Sequence, residues 1–504
     1  MASIMTTSII VLYFLITLLV GAWASKKVKS SEDYIVAGRS LGFWFFVLLV
    51  VSSATSGMSI LGVAGLGYTT GWPSIWEQIF VPLTTAVCIL FYGTKLHKIS
   101  EKTGYMTVQD YFADRFYSPK LMRVLSGLAV IVTSTIYLVG QYTAISIVLI
   151  WLFGITHTQA LIIAAAIVLF YVVLGGLYAV AWVNLIQGIF IVGGVLIVSP
   201  FILKAAGGFT HINTVIASID PNFVNLAYPQ MHPPYAGYAF LTPLYLVSFF
   251  FLLAMGLGSG PHIINNVLAV KKDKYFKFAP FASFAIYVVI MYLLKIVGFG
   301  TRAMVADGLL KVPYPDYAYI SAVNYALPTL IWPLFAVIVL SAVMSTTDRL
   351  MLTIGSSVSW DIYKNLINPK AEDKTITNIS RITVVVVAIL TLYLAIKPPQ
   401  LLALLIWMGI GIMLSSFVMP LLAGLYWKRA TREGAIASMG IGFATSIIFG
   451  FIHQYIVKLP MHFSMYSFIL SVIAMIVVSL LTKSPSEKVL KNTLTGPFIQ
   501  QKKR

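Results

Sequence analysis

The chain has 504 residues, 59% hydrophobic and 10% charged, with mean hydropathy +0.90 and net charge +18. That balance excludes a water-soluble globular protein, whose surface needs about a quarter of its residues charged. The single cysteine, Cys88, excludes an intrachain disulfide and any metal site built on several thiolates.

A membrane crossing takes about 20 mostly apolar residues. Thirteen such segments are predicted, near 8–25, 43–66, 74–93, 122–152, 160–175, 181–203, 239–259, 278–297, 328–348, 377–396, 399–422, 434–452 and 464–482. The fifth and ninth are the least sharply bounded, so twelve or fourteen stay open. The fold class is therefore all-α integral membrane. The first segment has no basic stretch before it and a dense one after it, so it is expected to be a retained span rather than a cleaved signal.

The positive charge follows alternate loops. Lys26 to Arg39, Lys95 to Arg123, Lys271 to Lys277, Arg349 to Arg381, Lys428 to Arg432 and Lys483 to Arg504 hold 28 of the 34 basic residues. Cytoplasmic loops carry such an excess. The expected topology is multi-pass in the cell (inner) membrane, N-terminus outside and C-terminus cytoplasmic. The lipid bilayer, not nucleic acid, explains the charge.

The second segment is interrupted by Ser52-Ser53-Ala54-Thr55-Ser56-Gly57-Met58-Ser59, and the seventh by Met255-Gly256-Leu257-Gly258-Ser259-Gly260-Pro261. Unwound backbone at membrane depth is tolerated only where it lines a cavity or is buried in protein. Two breaks five spans apart fit an inverted repeat, whose broken helices bind substrate and ions. In the third segment Glu77 follows Trp72-Pro73-Ser74. It could meet a solute amine, but its place argues for the outer interface. In the fourth, Tyr137 and Gln141 lie one turn apart and could bond one solute together; a buried Tyr is otherwise a packing residue with a satisfied hydroxyl.

The ninth segment runs into Ser341-Ala342-Val343-Met344-Ser345-Thr346-Thr347-Asp348. Polar groups inside a span are functional candidates, and hydroxyls are hard ligands suited to Na⁺. A lone Ser or Thr more often bonds back to its own helix. Ala342, Ser345 and Thr346 stand at i, i+3 and i+4, on one face.

Together these segments resemble the sodium:solute symporter family over almost the whole length. The marks are Ser31-Glu32-Asp33-Tyr34 with Ala37-Gly38-Arg39-Ser40, then Gly175-Gly176-Leu177-Tyr178-Ala179-Val180-Ala181-Trp182. Further along come Gly260-Pro261-His262-Ile263-Ile264, Ala342-Val343-Met344-Ser345-Thr346 and Asp361-Ile362-Tyr363-Lys364. Lys397-Pro398-Pro399 and Gly424-Leu425-Tyr426-Trp427-Lys428-Arg429 complete the series.

The resemblance implies a leucine-transporter-like core of five plus five helices in inverted repeat, with one helix before and two after. The divisions are 1–42 for the first helix and basic loop, 43–203 for the first repeat and 204–238 for an extracellular loop. The second repeat takes 239–422, two further helices 423–482 and a basic tail 483–504. The resemblance also implies inward Na⁺-coupled symport by alternating access, with no cofactor and no enzymatic activity. Its sodium site falls on the carbonyls of Thr55, Met58 and Ala342 and the hydroxyls of Ser345 and Thr346. Five uncharged oxygens suit a weakly held monovalent ion, since a tightly held divalent ion recruits carboxylates.

Two departures stand out. Where members often carry Trp-Thr-Asp, this chain has Trp182-Val183-Asn184, which implies one coupling ion. Asp348 is followed by Arg349, where Ser is common. Arg349 is expected either to neutralise Asp348 or to snorkel to the inner face. Resemblance and depth assign the solute to Ser56, Gly57, Ser59, Gln78, Tyr137, Gln141, Leu257 and Ser259. Coupling or gating falls to Asp348, Arg349 and Asn184.

The expected solute is a small carboxylate. Lys397-Pro398-Pro399 and Gly424-Leu425-Tyr426-Trp427 make the sodium/pantothenate branch the nearest likeness. Thr135-Ile136-Tyr137 resembles the proline branch, against which stand Leu253 and Leu257 where proline carriers tend to have aromatics, and monocarboxylates stay open. Sugars want more amide and charged groups than are found. Proton coupling through Asp348 remains an alternative. A membrane-bound enzyme is disfavoured because His262 has no second His or acid at metal spacing.

Overall fold

The computed structural model describes residues 4–229, 241–396 and 402–494. Pro233, Pro234, Lys397-Pro398-Pro399 and the end of the basic tail lie outside the described residues. Lipid offers no hydrogen bonds, so a spanning chain must close its own as helix. Ten described helices are long and apolar enough to cross a membrane. They are α1 (Ile4–Ser25), α4 (Trp72–Thr103), α5 (Leu121–Phe153), α6 (His157–Ala205), α9 (Ala279–Ala306), α10 (Trp332–Ile367), α11 (Asp373–Ala395), α12 (Ile406–Tyr426), α13 (Arg432–Tyr455) and α14 (Phe463–Leu481). Two bent pairs join them: α2 (Phe43–Ala54) with α3 (Met58–Thr70) at 67°, and α7 (Pro243–Ser259) with α8 (Pro261–Ala269) at 51°.

The 49-residue α6 would be about 74 Å long if straight, more than two hydrocarbon thicknesses. It turns at Gly176, whose φ of 52° and ψ of −148° leave helical space. A Cβ at Gly176 would also lie 2.5 Å from the Tyr34 carbonyl oxygen, so only glycine fits. The expected loop between the fifth and sixth spans is thus a sharp hinge. The ten helices and two bent pairs, with α6 counted twice, make thirteen candidate crossings among the described residues.

Both breaks have local causes. Thr55 takes an extended conformation and ends α2, and a widened π turn at Met58–Gly62 follows. In the second pair a π turn at Phe251–Gly256 precedes Gly260, and Pro261, which has no N–H to donate, opens α8. The start of α2 and the end of α8 meet. Leu41 N–H donates to the Ala269 carbonyl and Lys271 N–H to the Leu41 carbonyl, each at 3.0 Å.

Burial orders the helices. The apolar window of α10 is 94% buried and that of α12 is 83%, against 28% for α1 and 33% for α11 and α13. The centre is therefore α10 and α12 with the broken pairs, and α1, α11 and α13 leave most of their surface unpacked. The ninth span does not stop near 348 as expected but continues to Ile367. Apolarity fades after Asp348 because packed helices, not lipid, surround that stretch.

Candidate functional site

Ser345 and Thr346 begin about 20 Å along α10 from Trp332, near the middle of the crossing. Both hydroxyls reach across to the break between α2 and α3. Ser345 Oγ donates to the Ser52 carbonyl at 3.0 Å and lies 3.1 Å from the Ala342 carbonyl. Thr346 Oγ1 donates to the Thr55 carbonyl at 2.9 Å. Four of the five expected sodium ligands, Thr55, Ala342, Ser345 and Thr346, are therefore one contiguous cluster, all buried. The fifth, Met58, offers a carbonyl that accepts the Val63 N–H of the π turn, leaving one lone pair.

The Ser52 carbonyl is an acceptor that sequence reasoning missed. Backbone acceptors carry no side-chain signal. Tyr287 was missed too: its hydroxyl donates to the Ala54 carbonyl at 2.7 Å and lies 3.4 Å from Ser59 Oγ.

The solute candidates are split between the first break, the second break and a buried ion pair on α4. Gly57 N–H donates to Gln141 Oε1 at 3.0 Å and Ser56 N–H to Ser59 Oγ at 3.1 Å, so these four residues gather at the first break. A Cβ on Gly57 would overlap Ala144 and lie 3.0 Å from Val343, which explains the glycine. Gln141 Nε2 has no partner, a buried donor aimed at nothing. Tyr137 lies edge-on to His262, ring centroids 5.6 Å apart, linking α5 to α8. Leu257 and Ser259 are buried at the second break, where Ser259 Oγ bonds back to the Gly256 carbonyl at 2.8 Å.

Gln78 lies in the third place, beside the buried ion pair. Its amide donates to Glu77 Oε2 at 3.2 Å, and Lys295 Nζ donates to the same oxygen at 3.0 Å. Glu77 and Lys295 are fully buried. The expected interfacial position of Glu77 is corrected: it is held inside the bundle by a lysine from α9. Lys295 falls within the predicted segment 278–297, but a place in a span carries no distance with which to pair it to Glu77.

The expectation for Arg349 is also corrected. It is 2% exposed, so it does not snorkel; it still interacts electrostatically with Asp348, without a direct contact between the two side chains among the described residues. Adjacent helical residues point about 100° apart and cannot face each other. Arg349 Nε instead donates to the His262 carbonyl on α8 at 3.3 Å. The guanidinium also lines a small cavity with Tyr34, Asn265, Thr353, Ser356 and Ser380. Asp348 faces α6, where Tyr171 donates to its Oδ2 at 3.0 Å, and Oδ1 has no partner. Asn184 Nδ2 lies 3.5 Å from the Ser345 carbonyl, and its Oδ1 is likewise unpartnered. Ser341 Oγ donates to Tyr13 of α1 at 2.9 Å, so the first helix joins this cluster.

Every solute and ion candidate is buried. Reaching them from either side requires the packed helices to part. On the basic side Arg39 bridges Glu32, Ser100 and the Tyr105 carbonyl, and Asp361 accepts from both Thr107 and Arg123.

Residues 34–442 match the model of a family described as the sodium:solute symporter family. The osmoregulated proline transporter OpuE of Bacillus subtilis (strain 168) is 28% identical over 484 residues, covering 94% of each chain. The high-affinity proline transporter PutP of the same organism is 28% identical over 485 residues, 94% of this chain and 97% of that one. A sodium/proline symporter of Staphylococcus aureus (strain NCTC 8325 / PS 47) is 28% identical over 493 residues, 95% of this chain and 93% of that one. Among solved structures, a Na⁺-coupled sialic acid symporter in a substrate-bound outward-open state matches with TM-score 0.79 at 19% identity, over 96% of this chain and 99% of the other. Mhp1, a nucleobase-cation-symport-1 family transporter in a closed conformation, matches with TM-score 0.50 at 16% identity, over 91% and 97%. These likenesses give the fold, the leucine-transporter-like architecture.

Proposed function

The chain belongs to the sodium:solute symporter family, and from that premise we propose that it couples inward Na⁺ movement to uptake of a small carboxylate solute, with proline the first candidate. The relatives named above are proline transporters, not enzymes. The observation that carries the sodium assignment is the hydroxyl–carbonyl cluster of Ser345, Thr346, Thr55 and Ala342 bridging α10 to the first break. Na⁺ there takes the carbonyls that now accept from the two hydroxyls and adds the hydroxyl oxygens themselves. It ties α10 to the broken pair and favours the outward-facing state.

The solute binds beside it. The Ser56 and Gly57 N–H groups at the start of α3 now donate to side-chain oxygens of Ser59 and Gln141. A carboxylate takes the place of those oxygens, since a helix N-terminus favours an anion. Gln141 Nε2 supplies a further donor. The basic loops face the cytoplasm, with the N-terminus outside, as the distribution of lysine and arginine supports.

Proton coupling is the second reading, favoured by the unpartnered Asp348 Oδ1 at the same depth. One experiment separates the two. Thermal stability of the purified protein is measured with Na⁺, with K⁺ and across pH, against proline, pantothenate, lactate and sugars. A ligand that binds the folded state raises its stability by mass action. A Na⁺-specific rise, enlarged by proline, supports the proposal. Indifference to Na⁺ with a solute response that follows pH overturns it in favour of protons.

A further inference from the structure

We propose that His97, Glu101 and Asp273 form a binding site for a divalent transition-metal ion at the basic end of α4, apart from the ion and solute cluster. The three offer one ligand atom each, all within 4.8 Å of one another. His97 and Glu101 stand four residues apart on one face of α4. Asp273 opens the short helix Asp273–Lys277 that follows α8.

His97 is built as a ligand rather than as a surface charge. Its ring is 2% exposed. Nδ1 lies 3.0 Å from the Val267 carbonyl oxygen, which can only accept, so Nδ1 carries the proton. Nε2 is then the nitrogen with a free lone pair; it lies within 4.8 Å of one oxygen of each carboxylate and has no hydrogen-bond partner. A backbone carbonyl fixing the tautomer is the outer-shell arrangement that metal-bound histidines use.

The spacing fits a metal site. Nε2 lies 3.2 Å from Asp273 Oδ1 and 3.5 Å from Glu101 Oε1. Ligand atoms on a tetrahedral ion with bonds of about 2.1 Å sit about 3.4 Å apart. One imidazole and two carboxylates suit Zn²⁺, Fe²⁺ or Mn²⁺, leaving a position for water. The carboxylates are nearly half exposed, so the ion enters from solvent. Once bound it would staple the inner end of α4 to the segment leaving the second broken pair.

The test uses the full chain, purified without a histidine tag, stripped with a chelator and titrated with Zn²⁺ against a chromophoric competitor. One Zn²⁺ per chain is expected, with affinity reduced at least about tenfold by Asp273→Asn, Glu101→Gln or His97→Gln. The first two changes fall on half-exposed side chains, so the folded protein survives them even if His97→Gln does not. Unaltered thermal stability of those two variants accompanies the expected loss. Failure of the unmodified chain to compete for Zn²⁺, or binding undiminished in both Asp273→Asn and Glu101→Gln, overturns the assignment.

Discussion

Thr346 donates its hydroxyl proton to the carbonyl of Thr55 across 2.9 Å, although the two residues are 291 positions apart in the chain. The bond spans the junction between a continuous helix and a broken one. An ion placed there senses both, so its binding and release are coupled to their relative position.

Replacing Ser345 and Thr346 together with Ala removes both hydroxyl oxygens and leaves the backbone intact. Hydrogen bonds and ligation to a charged group are worth about 1.5–3 kcal/mol each. The apparent Na⁺ affinity should fall at least roughly tenfold per hydroxyl. Solute uptake into vesicles as a function of Na⁺ measures this, with size-exclusion behaviour reporting the fold. Sodium-dependent uptake retained in the double variant contradicts the site.

Gly57→Ala puts a methyl group against Ala144 and Val343. Overpacking of this kind costs about 1–3 kcal/mol, and here it also shifts the N–H that Gln141 accepts from. Uptake should drop by an order of magnitude or more while the protein still inserts and purifies. Uptake equal to the unmodified chain would show that this approach is not needed for transport.

Lys295→Met leaves Glu77 a lone buried carboxylate. Breaking a buried ion pair on one side costs about 3–5 kcal/mol, whereas replacing both partners is far milder. Lys295→Met should therefore lower the melting temperature more than the double change Glu77→Gln with Lys295→Met. Equal losses, or a larger one in the double variant, would mean the pair contributes through something other than charge compensation.

Asp348→Asn keeps an oxygen to accept from Tyr171 and removes the carboxylate charge. Since the proposed Na⁺ ligands do not include Asp348, uptake driven by a Na⁺ gradient should persist with altered rate. The check is uptake under a Na⁺ gradient or a proton gradient alone. Complete loss of Na⁺-driven uptake would move the coupling role to this carboxylate.

Replacing Na⁺ by K⁺ at equal ionic strength should abolish concentrative uptake of proline. Radiolabelled solute accumulated against its gradient is the readout. Accumulation unchanged in K⁺ at fixed pH would exclude sodium coupling.

Much of the fold was legible because lipid imposes a one-dimensional rule: apolar runs of a given length become helices, and their flanking charges face one side. The breaks were legible because glycines, a proline and crowded hydroxyls conflict with an uninterrupted apolar helix. Ser345, Thr346 and the residues at Thr55 to Ser59 stood out for that reason. What failed to show were pairings between distant residues. Glu77 read as interfacial because Trp72 and Pro73 precede it, and only α9 packing beside it brings Lys295 within 3.0 Å. Arg349 read as a candidate snorkel because the apolar run ends beside it, yet α8 packs against it and its Nε donates to the His262 carbonyl.

Hydropathy, glycine and proline act locally, so the many crossings of this chain, the places where two helices break and the hydroxyls at depth are all readable along the chain. Only the tertiary structure decided which carbonyls those hydroxyls meet, that α10 runs on past Asp348 and that Glu77 has a buried lysine for a partner. Those contacts depend on helices far apart in the chain packing side by side, and no local property of either segment encodes the distance between them.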